Sequence, residues 1–154
     1  MSQVNQRFVN ISAPNLITIC VNDRKDGEIQ GEFYHYYREE PVVFFGVLDL
    51  IRSMEALFDD LAFPQASTRP RSFLDQATKE FVRQKRKDKL ISWEKLSDHS
   101  GGMGTFITCV KFRQRSSWQG EFFFKEQERK VFFSSTLEFI RLLNQSLEQE
   151  RKAD

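Results

Sequence analysis

Trp118-Gln119-Gly120-Glu121-Phe122 repeats Ile29-Gln30-Gly31-Glu32-Phe33 at an interval of 89 residues, and the match runs well beyond these five positions. Laying residues 16–59 over 105–148 at that constant offset needs no gap and makes 13 of the 44 pairs identical. Random pairing at ordinary composition gives about 3. The identities are Cys20/Cys109, Val21/Val110, Arg24/Arg113, Gln30/Gln119, Gly31/Gly120, Glu32/Glu121, Phe33/Phe122, Glu39/Glu128, Val42/Val131, Phe44/Phe133, Leu48/Leu137, Ile51/Ile140 and Arg52/Arg141. Like-for-like pairs such as Tyr34/Phe123 and Asp49/Glu138 stand between them. The agreement reads as duplication of one supersecondary unit. A unit this short cannot bury its apolar face alone, so the two copies are expected to share a core.

Each copy reads β-β-β-α. In the second, Phe106–Arg113 alternates with Phe106, Val110 and Phe112 on one face, and Trp118–Glu126 alternates with Trp118, Phe122 and Phe124 on one face. Val131 and Phe133 supply a short third strand, and the β-branched and aromatic content suits strands. The period then changes: Leu137, Ile140, Leu143 and Leu147 recur at helical spacing, with Ser135 and Glu138 placed as a capping box. The first copy's helix carries Val47, Leu48, Ile51, Met54 and Phe58. The predicted fold is α+β in one domain spanning 1–154. Repeat 1 covers 16–59, a connector 60–104 and repeat 2 105–148, with antiparallel sheets and helices related by a pseudo-two-fold.

Composition excludes several classes. The chain has 154 residues, 40% of them hydrophobic with 16 Phe, enough for a core without disulfide staples. The net charge of +1 gives no global nucleic-acid signal. The two Cys fall at equivalent repeat positions and read as reduced, half-buried thiols of a cytoplasmic protein. No apolar run approaches the roughly 20 residues of a membrane span. Residues 1–15 are polar and lack a signal-peptide core; Met1–Pro14 is expected to be a loosely held arm.

The connector has no counterpart in the repeat. Ser72 caps a predicted helix running to about Lys89, with Phe73, Leu74, Ala77, Phe81 and Val82 on its apolar stripe. Residues 69–89 hold eight basic and three acidic residues, a net of +5, which leaves −4 for the rest of the chain. Arg83, Lys85, Arg86 and Lys87 are the candidates there for phosphate or for an acidic partner; a solvated helix face is the plainer reading. Ile91–Leu96 fits strand or helix, Ser97–Gly104 reads as a flexible loop, and Arg38–Pro41 reads as a turn.

Alternation assigns the faces. Val21, Phe33, Phe44, Val110, Phe122 and Phe133 should meet the helices. The opposite face carries Cys20, Gln30, Glu32, Tyr34 and Tyr36, then Cys109, Arg113, Gln119, Glu121 and Phe123, with Arg24 at a strand end. A polar-aromatic face presented twice suits a binding platform: Arg offers forked donors, and Tyr, Phe and Trp118 offer stacking area. A solvated sheet with cross-strand Arg–Glu pairs is the alternative. Gly31 and Gly120 inside strands point to a bulge or a close backbone approach.

Catalytic chemistry finds little support. His35 and His99 are the only histidines and occupy non-equivalent positions, and His35 matches Phe124. Alternation keeps Cys20 and Cys109 away from His35. No spacing suits zinc, and Ser100–Gly104 lacks the lysine of a P-loop. No catalytic residue, metal site or cofactor is expected.

The order helix-β-β-β-helix over Ser72–Glu148 resembles the double-stranded-RNA-binding domain. Where that family carries a basic cluster this chain reads Ser134-Ser135-Thr136-Leu137-Glu138, so its RNA contacts do not transfer. Twin sheet-plus-helix repeats also resemble the Pur-repeat and Whirly single-strand binders in architecture. The second copy, around Arg113–Gly120 and Leu137–Leu147, resembles short bacterial proteins of unassigned function. The expected function is a non-enzymatic interaction protein with a protein partner and no membrane association. The alternative is a single-stranded nucleic-acid binder that stacks bases on Tyr34, Tyr36, Phe123 and Trp118.

Overall fold

The structure is a computed structural model that describes residues 9–65 and 88–153, with side chains through residue 149. Six strands form one antiparallel sheet in the order β3-β2-β1-β4-β5-β6. They are β1 Ile17–Lys25, β2 Glu28–His35, β3 Arg38–Phe45, β4 Gly104–Phe112, β5 Gln119–Phe124 and β6 Arg129–Phe133. Three helices accompany them among the described residues: α1 Val47–Leu61, the single turn α2 Trp93–Ser97 and α3 Thr136–Ala153. The fold is thus α+β. The basic helix predicted from Ser72, with Arg83, Lys85, Arg86 and Lys87, lies almost wholly outside the described residues.

The two halves meet where β1 pairs β4, from Ile17↔Thr108 to Val21↔Gly104, and residues 89 apart face each other at Thr18↔Ile107. Adding 89 to both partners carries Ile17↔His35 through Asp23↔Gln30, and Gly31↔Phe44 through Phe33↔Val42, onto the second half, whereas His35↔Arg38 has no counterpart because Phe124 pairs Arg129. Val21↔Gly31 becomes Val110↔Gly120, and Gly31↔Phe44 becomes Gly120↔Phe133. The irregularities in β1 and β4 coincide as well, while the one between Phe33 and His35 in the β2–β3 pairing is not repeated between β5 and β6. β1 skips Asn22 between Val21 and Asp23, and β4 skips Lys111 between Val110 and Phe112.

That extra residue explains the strand glycines. A Cβ on Gly31 would lie 2.0 Å from the Cys20 carbonyl oxygen, and one on Gly120 2.2 Å from that of Cys109. The bulge sits on the facing strand and presses its backbone against the glycine, so close approach is the reason for glycine there. The bulge also resets alternation. Phe112, expected on the core face, pairs Gln119 on the other side and is exposed. Arg113, expected opposite the helices, and Arg24, expected at a strand end, turn toward them.

One face of the sheet packs on α1 and α3. Ile17, Ile19, Val21, Phe33, Phe44, Phe106, Val110, Phe122, Phe124 and Phe133 meet Leu50, Met54, Leu57 and Phe58 of α1 and Phe139, Leu143 and Leu147 of α3. Trp118 belongs to this core, edge-on to Phe58 and Phe139. The helix stripes differ from expectation in one respect: Leu48 and Leu137 face outward, because the bulkier sheet-facing stripe begins at Leu50 and Phe139. Ser135 caps α3 by accepting from Glu138 N at 3.0 Å, while Glu138 accepts from Ser134 N at 3.0 Å. Arg38–Pro41 is not a turn but the start of β3, where proline is tolerated because the strand lies at the sheet edge.

The arginines cross between the halves. Arg113, just past β4, pairs with Glu55 at 3.0 Å and Asp59 at 2.7 Å on α1, and its Nε donates to the Pro64 carbonyl. Arg24 on β1 donates to Asn144 at 3.4 Å and pairs with Glu148 at 3.8 Å on α3. Residues 144 and 148 are 55 + 89 and 59 + 89, so each strand grips the other half's helix at matching positions.

Two outcomes test this architecture. Gly120→Val should cost about 3 kcal/mol, as overpacking against backbone does, measured by urea unfolding; a midpoint near wild type would remove the close-approach argument. The crossing arginines should differ in weight. Arg113 has a side chain only 6% exposed, whereas its acids are 41% and 69% exposed. Its replacement by Ala should cost about 2 kcal/mol, short of a fully buried pair. Arg24→Ala loses a longer, more solvated contact and should cost less than about 1 kcal/mol. Equal losses would contradict this ordering.

Candidate interaction surface

The second face of the sheet was expected to be open, and its middle is covered. Of the arm expected to be loose, the described residues from Val9 onward are packed: Val9, Ala13 and Leu16 join Tyr36, Ile91, Leu96, Ile107, Cys109 and Phe123 in a second apolar cluster. Hydrogen bonds fasten this cover. Tyr36 Oη donates to the Ile11 carbonyl at 2.7 Å, Thr18 Oγ1 to that of Leu96 at 2.9 Å, and Asn15 Nδ2 to that of Val110 at 2.8 Å. Leu90 N donates to the Tyr36 carbonyl at 2.7 Å. Ser92 caps α2 by accepting from Lys95 N at 3.2 Å, which settles Ile91–Leu96 as a short helix with its lead-in.

The loop after α2 is also tied down. His99 stacks on Tyr34 with ring centroids 3.4 Å apart and planes 3° from parallel, and Tyr34 Oη donates to Glu32 at 3.2 Å. Lys125 Nζ donates to the Ser97 carbonyl at 2.9 Å. Met103 N donates to the Val21 carbonyl at 2.8 Å.

The predicted binding residues therefore separate into groups. Tyr36, Phe123 and Trp118 are buried and offer no surface for stacking, since cover segments and helices occupy both sides of the sheet centre. Arg24 and Arg113 lie on the helix side. Gln119 is engaged internally: its Oε1 accepts from Gln114 N at 3.0 Å, and its Nε2 donates to the carbonyls of Gln114 and Ser117, both at 3.3 Å. Glu121 is buried, with Lys130 and Lys111 at 3.2 and 3.4 Å from its Oε2. Gln30, Glu32 and Tyr34 remain partly exposed on the first half.

Among the described residues the cover does not reach the outer strands. Val43 and Phe45 on β3 are 51% and 69% exposed, and Phe112 on β4 and Phe132 on β6 are 55% and 65% exposed. Leu48 and Leu137 add 64% and 76%. Val43 and Phe132 are 89 apart, as are Leu48 and Leu137. No role was expected of Val43, Phe45 or Phe132. Their signal was present: with Val42 and Phe44 turned inward, period two sends Val43 and Phe45 outward. The two wings differ in charge. The β3 wing carries Glu32, and the β6 wing places Lys111 and Lys130 around one carboxylate.

The titratable groups here do not present a nucleophile. Burial pushes the Cys20 thiol up to about 12, with nearby Glu32 adding to it, and pushes Cys109 up to about 11, with Glu121 adding. Both thiols are protonated at neutral pH. Tyr34 is raised to about 12 by burial and then by Glu32. His35 Nδ1 accepts from Tyr37 N at 3.1 Å. Among the described residues no group of three His, Cys, Asp or Glu could hold a metal, and no helix is long and apolar enough to cross a membrane.

Burial holds the His99 imidazole below its usual value of 6.5; Lys125 and Lys95 act in the same direction, and Asp98 and Glu32 oppose. The folded state therefore favours neutral His99. Its contribution is fully present above the unfolded value and is lost as pH falls through the folded one. Denaturant midpoints at about pH 7.5 and about pH 5.5 should diverge more in wild type than in His99→Phe, which keeps the stack. Identical pH dependence in both proteins would refute this. No family model, curated protein or solved structure matches the chain.

Proposed function

We propose that this chain is a non-enzymatic cytoplasmic interaction protein built on a duplicated β-β-β-α unit, and that it contacts a protein partner through the β3 wing. The duplication reading is supported by the equal registers of β1–β2 and β4–β5, the paired bulges at Asn22 and Lys111 and the reciprocal arginine contacts. The partner reading rests on one observation. Val43 and Phe45 stand side by side on the same face of an edge strand, more than half exposed, beside partly exposed Gln30 and Glu32.

An apolar pair of this size rimmed by polar groups is the pattern of a contact site, whereas single exposed side chains are ordinary. A partner with an apolar anchor flanked by Lys or Arg fits it, since Glu32 supplies the opposing charge. Stacking of single-stranded nucleic acid finds no corresponding support, because Tyr36, Phe123 and Trp118 are buried.

The test is photo-crosslinking in cells with benzoylphenylalanine at position 45, with position 26 in the β1–β2 turn as control. One discrete protein adduct is expected from position 45, lost in Val43→Asp at an unchanged melting temperature. Equal labelling from both positions, or an adduct indifferent to Val43→Asp, would sink the proposal. Adducts to nucleic acid would move the function to the alternative class.

A further inference from the structure

We propose that β6 is a self-association edge, across which two copies of the chain pair antiparallel about a dyad at Val131 to give a continuous twelve-stranded sheet. Backbone groups distinguish the two edges of the sheet. β3 and β6 are the two ends of the sheet. On β3, Gly46 N donates to the Ile29 carbonyl at 2.8 Å, which sets the ladder phase so that positions 41, 43 and 45 turn outward. Pro41 has no N–H, and Phe45 N is taken by Asp49 at 2.9 Å. Of these three positions Val43 alone keeps its N–H.

On β6, Ser134 N is taken by Glu138 at 3.0 Å, so Lys130 and Phe132 are the outward positions before it. Lys130 stands where β3 has Pro41 and retains its N–H. The β6 edge therefore presents two outward donors and two outward carbonyls, while β3 is blocked by proline, a standard defence of sheet edges. Glu39 and Glu40 add charge to β3.

Side chains then select the register and the occupant. With Val131 on the dyad, Lys130 lies opposite the partner's Phe132 and Arg129 opposite the partner's Phe133. Phe133 stays in the core, so it is the lysine of each copy that faces the partner's exposed ring, and no like charges meet. Lys130 Nζ already lies 5.5 Å from the Phe132 ring centroid within one chain. A slip of two residues one way sets Lys130 against Lys130; the other way it sets Phe132 against Phe132 and leaves both lysines without a ring. A one-residue slip turns Phe132 to the wrong face. β6 is thus complementary to itself in one register. The outward pair Lys130↔Phe132, formed twice, supplies four backbone hydrogen bonds, and the paired strands cover Phe132, which is 65% exposed.

The experiment is sedimentation of the full chain from low micromolar to near-millimolar concentration. The mass should rise from 18.2 kDa toward twice that value. Phe132→Lys, which opposes lysines across the dyad, should keep the protein monomeric. The double variant Lys130→Phe with Phe132→Lys restores the cation–ring pairing, keeps a lysine beside Glu121 and should dimerise again. Lys130→Pro should abolish dimers while the chain still melts cooperatively, at a lower temperature because buried Glu121 loses one of its two lysines. A wild-type chain that stays monomeric throughout overturns the proposal. So does a dimer that survives Phe132→Lys, or a double variant that is folded and monomeric. The readout uses the purified chain alone, so its failure leaves the β3-wing reading standing, and failure of the crosslink at position 45 leaves this one standing.

Discussion

The five-pair seam between β1 and β4 is the contact on which the rest of the structure depends. Without it each half is a three-stranded sheet with one helix, and Ile17, Ile19, Val21 and Phe106 lose the neighbours that bury them. Three strands and a helix enclose too little apolar area to offset the entropy of ordering them. The seam joins two such faces into one core. The arginines then fix the helices beneath it, because Arg113 reaches α1 from the second half and Arg24 reaches α3 from the first. Docking of each helix is thereby coupled to formation of the seam.

The paired bulges set much of what the side chains do. A single extra residue, Asn22 or Lys111, moves everything after it to the other face. Arg24 and Arg113 become helix clamps, and Phe112 becomes a surface side chain. The same extra residue pushes the strand backbone against Gly31 and Gly120 and excludes a Cβ there. Asymmetry between the halves enters through the cover on the second face. Residues 9–16 and 90–99 fill its middle, and Tyr34 stacks on His99 where Phe123 packs into the apolar cluster. The two wings left outside the cover then differ in charge and in edge chemistry, acidic with proline on β3 and basic without it on β6.

The α+β class, most of the strands and the core face of Val21, Phe33, Phe44, Val110, Phe122 and Phe133 were legible in the amino-acid order. Periods of two and 3.6 are local properties, and a constant offset of 89 needs no structure to be seen. Leu48 and Leu137 were misassigned because a helical period fits more than one stripe, and the choice falls to whichever side chains meet the sheet.

Tertiary structure decided the rest. No local pattern announces an inserted strand residue, so the faces of Arg24, Phe112 and Arg113 followed only from pairing with β2 and β5. Nor does alternation reveal that segments distant in the chain will cover a sheet face, which is why Tyr36 and Phe123 read as exposed platform residues and proved to be core. The sequence by itself determined the elements and the apolar face they share, since those depend on near neighbours in the chain. Which polar and aromatic side chains remain at the surface depended on contacts between residues as far apart as Ile11 and Tyr36, Thr18 and Leu96, or Asn15 and Val110.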